Sequence, residues 1–185
     1  MRFTRPKTAL RFLGFTMKRL IALLAFCTPA FAVLAEPQVP EGWRLPNAHD
    51  MKGSWGEFRK ELPTPYFVRA DFNRDQKPDE AWILLRKEGE AWALFVFLST
   101  PSGRFDTIKL EEGKDYAHNQ GVSLAGSGTY QTACAKGYGL PCGPDEPRSV
   151  EIRGPAFNFF TFESSSSVVY WDESARQLKQ IWLSD

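Results

Sequence analysis

The sequence predicts a mainly β protein, an antiparallel sheet or sandwich with one short amino-terminal amphipathic helix; an α+β arrangement is the alternative. Three observations point there. Short runs of β-branched, aromatic and aliphatic residues recur from position 66 to the carboxyl terminus, each closed by Gly, Pro, Asn, Asp or Ser. One of them, A-W-A-L-F-V-F-L-S at residues 91–99, is apolar at almost every position, as a strand buried on both faces would be. Strands this short, separated by turn residues alone, indicate antiparallel pairing and not alternating βαβ units.

Taken in order, residues 36–47 contain Pro37, Pro40 and Pro46 and read as an extended lead-in. In residues 49–62, Met51, Trp55, Phe58 and Leu62 recur at helical spacing, which predicts an amphipathic helix ending before Pro63. Gly53 and Gly56 weaken it by about 1 kcal/mol each relative to Ala. Residues 66–70 and 81–87 form two strands around an acidic loop, and residues 91–99 the central strand after a turn at Gly89. Residues 104–110 alternate imperfectly, as a half-exposed strand does, and residues 111–128 read mostly as loop. Five further strands are expected at 129–134, 149–153, 157–163, 167–172 and 178–183. Phe157, Phe159, Phe160, Phe162, Tyr170, Trp171 and Trp182 make this half aromatic, which a packed core explains better than a ligand platform.

A chain of 185 residues with 43% hydrophobic and 14% aromatic content is of one-domain size and sustains a core, which excludes a disordered chain. Its net charge of +1 is unevenly spread: Arg2, Arg5, Lys7, Arg11, Lys18 and Arg19 precede position 36. From Glu36 onward 17 Lys and Arg stand against 22 Asp and Glu, a net of −5. With no stripe of Lys and Arg, nucleic acid and anionic membrane surfaces are disfavoured as partners.

Residues 17–35, M-K-R-L-I-A-L-L-A-F-C-T-P-A-F-A-V-L-A, have a basic start, a short apolar core at 20–26 and small residues suited to cleavage. That is the layout of a secretory signal peptide, too short in its apolar run to span a bilayer. The expectation is residues 1–35 as the signal, with Met17 as an alternative start, and residues 36–185 as a single β-rich domain. The mature chain would begin at Val33 or Glu36, periplasmic or secreted, with no membrane insertion after cleavage. Lipidation of Cys27 is disfavoured because bulky Phe26 precedes it where a small residue is needed.

Residues 71–79 read D-F-N-R-D-Q-K-P-D, so Asp71, Asn73, Asp75 and Asp79 fall at positions one, three, five and nine. This spacing wraps oxygen ligands around a hard cation. The stretch resembles the D-x-[DN]-x-D-G-x-x-D loop of FG-GAP and VCBS-type repeats. The resemblance implies a loop joining two antiparallel strands and a calcium ion held by the side chains of Asp71, Asn73, Asp75 and Asp79 with the main-chain oxygen of Lys77. It covers about twenty residues, a unit and not a fold, and one loop cannot supply the blades of a propeller. Gln76 stands where such loops carry Gly, at a sharp turn that costs a residue with a Cβ roughly 1 kcal/mol or more. Trp82 at position twelve excludes an EF-hand. The alternative is a metal-free turn in which the Asx side chains cap their own backbone amides.

Cys134 and Cys142 are the only cysteines after the signal, and an even count in an oxidising compartment predicts a bond between them. Neither a redox motif nor a zinc pattern matches their spacing. His49 and His118 are isolated and read as surface or hydrogen-bonding residues. Gly121-Val122-Ser123-Leu124-Ala125 fails the nucleophile-elbow pattern at Ala125. The carboxylate pairs Glu111-Glu112 and Asp145-Glu146 read as solvated charges.

These readings lead to an exported, non-enzymatic β-domain that binds an envelope or periplasmic protein, with the acidic loop as a structural calcium clip. A second expectation is a periplasmic inhibitor that plugs a hydrolase or toxin with the loop between Cys134 and Cys142. A third is a hydrolase whose residues form no recognisable motif.

Overall fold

The computed structural model describes residues 37–144 and 146–184; the expected signal peptide with its expected cleavage sites, Met17, Cys27 and Asp145 lie outside the described residues. The strands are β1 (Trp43–Arg44), β2 (Phe67–Ala70), β3 (Asp79–Arg86), β4 (Trp92–Ser99), β5 (Phe105–Gly113), β6 (Gln120–Ala125), β7 (Gly128–Gln131), β8 (Ser149–Ile152), β9 (Ala156–Thr161), β10 (Ser166–Asp172) and β11 (Gln177–Ser184). Two short helices, α1 (Gly53–Glu57) and α2 (Ala133–Lys136), accompany them. The protein is mainly β and every strand pairing among the described residues is antiparallel. No helix among these residues is long and apolar enough to cross a membrane.

One sheet runs β1-β3-β4-β5, with β2 also on β3; the second runs β11-β10-β9-β6; β7 and β8 form a separate hairpin. The inner faces of the two sheets share one core, in which Ile83, Leu94 and Val96 meet Val122, Phe157, Phe159 and Val169. Alternate residues of β4 point the other way: Ala93, Phe95 and Phe97 join Trp43 and Leu84 in a second cluster on the far face, packed by Val39, Trp82 and Phe105. β4 is therefore buried on both faces, and its unbroken apolar sequence follows from that position. The β7–β8 hairpin lays Tyr130, Val150 and Ile152 over Ala156 and Val168 of the second sheet.

Three local expectations need correction. The helix predicted at 49–62 is a 3-10 turn at Ala48–Asp50, the single turn of α1, and then turns. Lys52 offers no side-chain cap and Gly53 enters at φ +51, so the helix starts late, and Gly56 adds a second weak propensity. The predicted face nevertheless points inward: Trp55 is fully buried, its Nε1 donating to the carbonyl of Gln120 at 2.6 Å, and Phe58 stacks on Phe162. Residues 111–128 are not mostly loop, because they hold the end of β5 and all of β6. The strand expected at 129–134 stops at Gln131, and Cys134 lies in α2. The lead-in contributes β1, whose Trp43 opposes Arg86.

The imperfect alternation at 104–110 has a physical cause: Phe105 packs on the outer face of the first sheet, whereas Ile108 and Leu110 face the shared core. Leu94 opposes Glu111 but Phe95 opposes Lys109, so Leu110 is an extra residue at a bulge, and the inward set changes phase after it.

Candidate functional site

The acidic loop joins β2 to β3, as the spacing predicted, and Phe72 anchors it. That side chain is fully buried and packs on Phe157 with ring centroids 5.1 Å apart. Arg74 and Gln76 adopt left-handed backbone angles, φ 61 and 68, which curl the loop tightly enough for its side chains to reach its own amides. Asp71 accepts the amides of Asp75 and Gln76 through its two oxygens, each at 2.9 Å. Asn73 also accepts the Asp75 amide, at 3.1 Å, and Asp75 accepts that of Lys77 at 3.0 Å. The donor set is oxygen-rich and suits a hard cation, and each of these oxygens keeps a second lone pair.

Asp79 is different. Its carboxylate is fully buried, one oxygen accepting the amides of Phe72 and Asn73 at 2.9 and 3.2 Å, the other that of Ser99 at 2.8 Å. Burial pushes its pKa up, and the three amides partly offset this. Among the described residues no group of three or more His, Cys, Asp or Glu side chains is placed to hold a metal. Asp71, Asn73 and Asp75 thus share one small turn, while Asp79 works as a clamp between the loop and the end of β4. Sequence reasoning counted Asp79 as a ligand; its neighbour Glu80, also buried, was missed. Glu80 is held by Arg69 and by the Trp82 Nε1, the latter at 2.7 Å, on the outer face of the first sheet.

Cys134 and Cys142 are bonded, with Cα atoms 4.9 Å apart. Left-handed Gly137 caps α2, its amide and that of Tyr138 returning to the carbonyls of Cys134 and Ala133, and Gly139 makes a second left-handed turn. The closed loop is fixed at one end to β11 by Lys136, whose Nζ donates to the carbonyl of Leu183 at 2.9 Å. It presents Leu140 at 86% exposure and Tyr138 at 47%. Beside it, Thr132, Gly143, Pro147, Gln180, Ile181 and Trp182 line an open groove of about 510 Å³, and Trp182 is itself 47% exposed. No periodicity marks these residues in the sequence; only the glycines and the cysteine spacing hinted at a shaped loop.

A third feature lies where the turn Ala117–Asn119 meets the β3–β4 connection. There Arg44, Asp50, Arg86, Glu90, Tyr116 and His118 line a cavity of about 230 Å³. His118 packs edge-on against Trp55, and its Nε2 is buried with no hydrogen-bond partner. Such an orphan costs about 1–3 kcal/mol. Burial also holds the imidazole below its ordinary pKa of 6.5, hence neutral at pH 7.

A groove of about 290 Å³ between the acidic loop and the β10–β11 turn carries the carboxylates Glu151 and Glu173, besides Asp172, which is paired with Lys179. Arg153 pairs with the first at 2.9 Å and Arg74 with the second at 3.1 Å. Both are exposed, solvated pairs and not an acid/base couple held across a dry cleft. Ser123 donates to no base; its hydroxyl accepts from the side chain of Asn158 at 3.2 Å. Comparison of the chain with protein-family models, with curated proteins and with solved structures gives no match.

Proposed function

We propose that this protein is an exported, non-enzymatic β-domain that binds another protein of the cell envelope or periplasm through the disulfide-closed loop. The observation that carries the reading is Leu140, an aliphatic side chain 86% exposed at the tip of a covalently closed turn, with Tyr138 and Trp182 exposed nearby. Large exposed apolar groups on a pre-ordered loop are what a partner's pocket takes, because the entropy of ordering them is already spent. The same loop suits an inhibitor that fills a hydrolase or toxin cleft, which is the second form of this proposal. Affinity capture from envelope extract distinguishes them: an inhibitor recovers one hydrolase stoichiometrically, whereas a general binding module recovers a partner without blocking catalysis. A hydrolase reading has no positioned acid/base or nucleophile set behind it among the described residues and is tested by assaying the purified protein.

Calcium at the acidic loop is a further reading, favoured by the left-handed Arg74 and Gln76, which bring Asp71 and Asn73 to a single amide, that of Asp75. Asp71, Asn73, Asp75 and the carbonyl of Lys77 would hold the ion; it would neutralise crowded carboxylates and tie β2 to β3. A melting temperature higher in millimolar calcium than in chelator, and insensitive to it in Asp75→Ala, supports the ion. Equal melting in both supports the self-capped turn.

A further inference from the structure

We infer that His118 is an acid latch: its neutral ring holds residues 48–58 against the body of the domain, and its protonation releases them. The contacts of that segment converge on three consecutive residues, His118, Asn119 and Gln120. Trp55 packs edge-on against the His118 ring with centroids 5.0 Å apart and donates its Nε1 to the carbonyl of Gln120, while Ser54 donates its hydroxyl to the Asn119 side chain at 3.2 Å. Gly53 comes close enough that a Cβ there would meet the Cβ of His118 at 3.5 Å. The remaining anchors are Trp55 against Tyr66, Phe58 on Phe162 and Arg44 on Asp50. Helix α1 is only five residues long, and so short a helix does not persist without tertiary contacts. Residues 48–58 therefore form a unit that opens more readily than the sheets beneath it.

The site has no place for a charged imidazole. His118 Nε2 is buried without a hydrogen-bond partner, so the neutral ring already lacks one bond. Protonation makes both ring nitrogens donors and adds a charge that burial penalises. The charged groups that bear on the ring are Asp50, Lys52, Glu90 and Arg44, and Arg86 and Tyr116 line the adjoining cavity. Asp50 is taken by Arg44 through two bonds of 2.7 and 2.8 Å, and Lys52 opposes Glu90, which leaves the imidazolium without a counter-ion of its own. Opening hydrates the charge and uncovers Trp55, Phe58 and Phe162, an apolar surface hidden while the ring is neutral. Because burial lowers the folded-state pKa of His118 below 6.5, the segment is fully held above pH 6.5 and is released as pH falls through the lowered value. Asp50 is itself held below 3.8 and stays ionised throughout that window.

The test is hydrogen exchange followed by NMR on the purified protein from pH 7.5 to 5.5, reading protection of the Trp55 indole N–H with the Val96 amide of β4 as reference. Protection at Trp55 should fall about five- to tenfold across that range while Val96 keeps its own. His118→Phe, which fills the same space and does not titrate, should abolish the fall; His118→Gln serves where the phenylalanine variant does not fold. His49→Gln, at the other histidine of the segment, should leave the fall in place. Protection at Trp55 independent of pH, a fall that survives in the His118 variant or vanishes in His49→Gln, or an equal fall at Val96 would overturn the latch.

Discussion

The carboxylate of Asp79 and the amide of Ser99, twenty residues apart in the chain, meet at 2.8 Å and join the acidic loop to the far end of the central strand. The same carboxylate takes the amides of Phe72 and Asn73, so one buried side chain closes the β2–β3 loop and fixes it to β4. Ser99 reinforces the joint by donating its hydroxyl to the carbonyl of Pro78.

Asp79→Ala strands three amides at a buried site. At about 1–3 kcal/mol for each unsatisfied group, the loss should be about 3 kcal/mol or more. Chemical denaturation measures it. Asp71→Ala, whose carboxylate caps exposed amides only, should cost about 1 kcal/mol by comparison with other side-chain caps.

Two aspartates give stability opposite dependence on pH. The hydrogen bond from Arg44 holds Asp50 below its ordinary 3.8, so its contribution is present above 3.8 and is lost as pH falls through the lowered value. Burial raises Asp79 above 3.8, so stability is lost as pH rises from 3.8 through the raised value. Denaturation midpoints measured from pH 2 to 7 should therefore show a shallower acid decline in Asp50→Asn. In Asp79→Asn, the decline on the rising side should disappear.

Gly121→Ala tests the packing of β6 against β9. An added Cβ would lie 2.4 Å from two ring carbons of Phe160, so the ring must move, and overpacking of this kind costs about 1–3 kcal/mol. A thermal melt reads the effect. Gly126→Ala, where a Cβ meets nothing within 4 Å, should leave the melting temperature nearly unchanged.

That glycine also explains why β6 was not legible in the sequence. Q-G-V-S-L-A has the alternation of a strand, but Gly121 reads as a turn signal until Phe160 is known to occupy the space over it. The central strand was legible because an unbroken apolar run of eight residues, 91–98, bounded by turn residues, has few other solutions. The loop spacing was legible too, yet its chemistry was not: Asp79 occupies a ligand position by number, but the β3–β4 register turns it toward Ser99. Helix α1 kept its inward face and lost its length, since side-chain periodicity reports burial while capping and glycine decide extent. The His118 cavity joins residues from three separated stretches, and nothing local to any of them marks it.

The cysteine pair links stability to binding. Closing so short a loop is worth about 2–3 kcal/mol in the chain-entropy account, so reduction should lower the melting temperature. Cys134→Ser with Cys142→Ser should bind any loop-directed partner more weakly even at temperatures where the domain stays folded, because the loop must then be ordered on binding.

The most direct test of the central claim is capture from envelope extract by wild-type protein and by Leu140→Asp compared side by side. Leu140 is almost fully exposed, so the substitution should leave the melting temperature within about 0.5 kcal/mol equivalent of wild type. The account predicts that wild type retains one partner in stoichiometric amount and that Leu140→Asp loses it. Retention of the same partner by Leu140→Asp at equal yield, or no stoichiometric partner for the wild type, would contradict it.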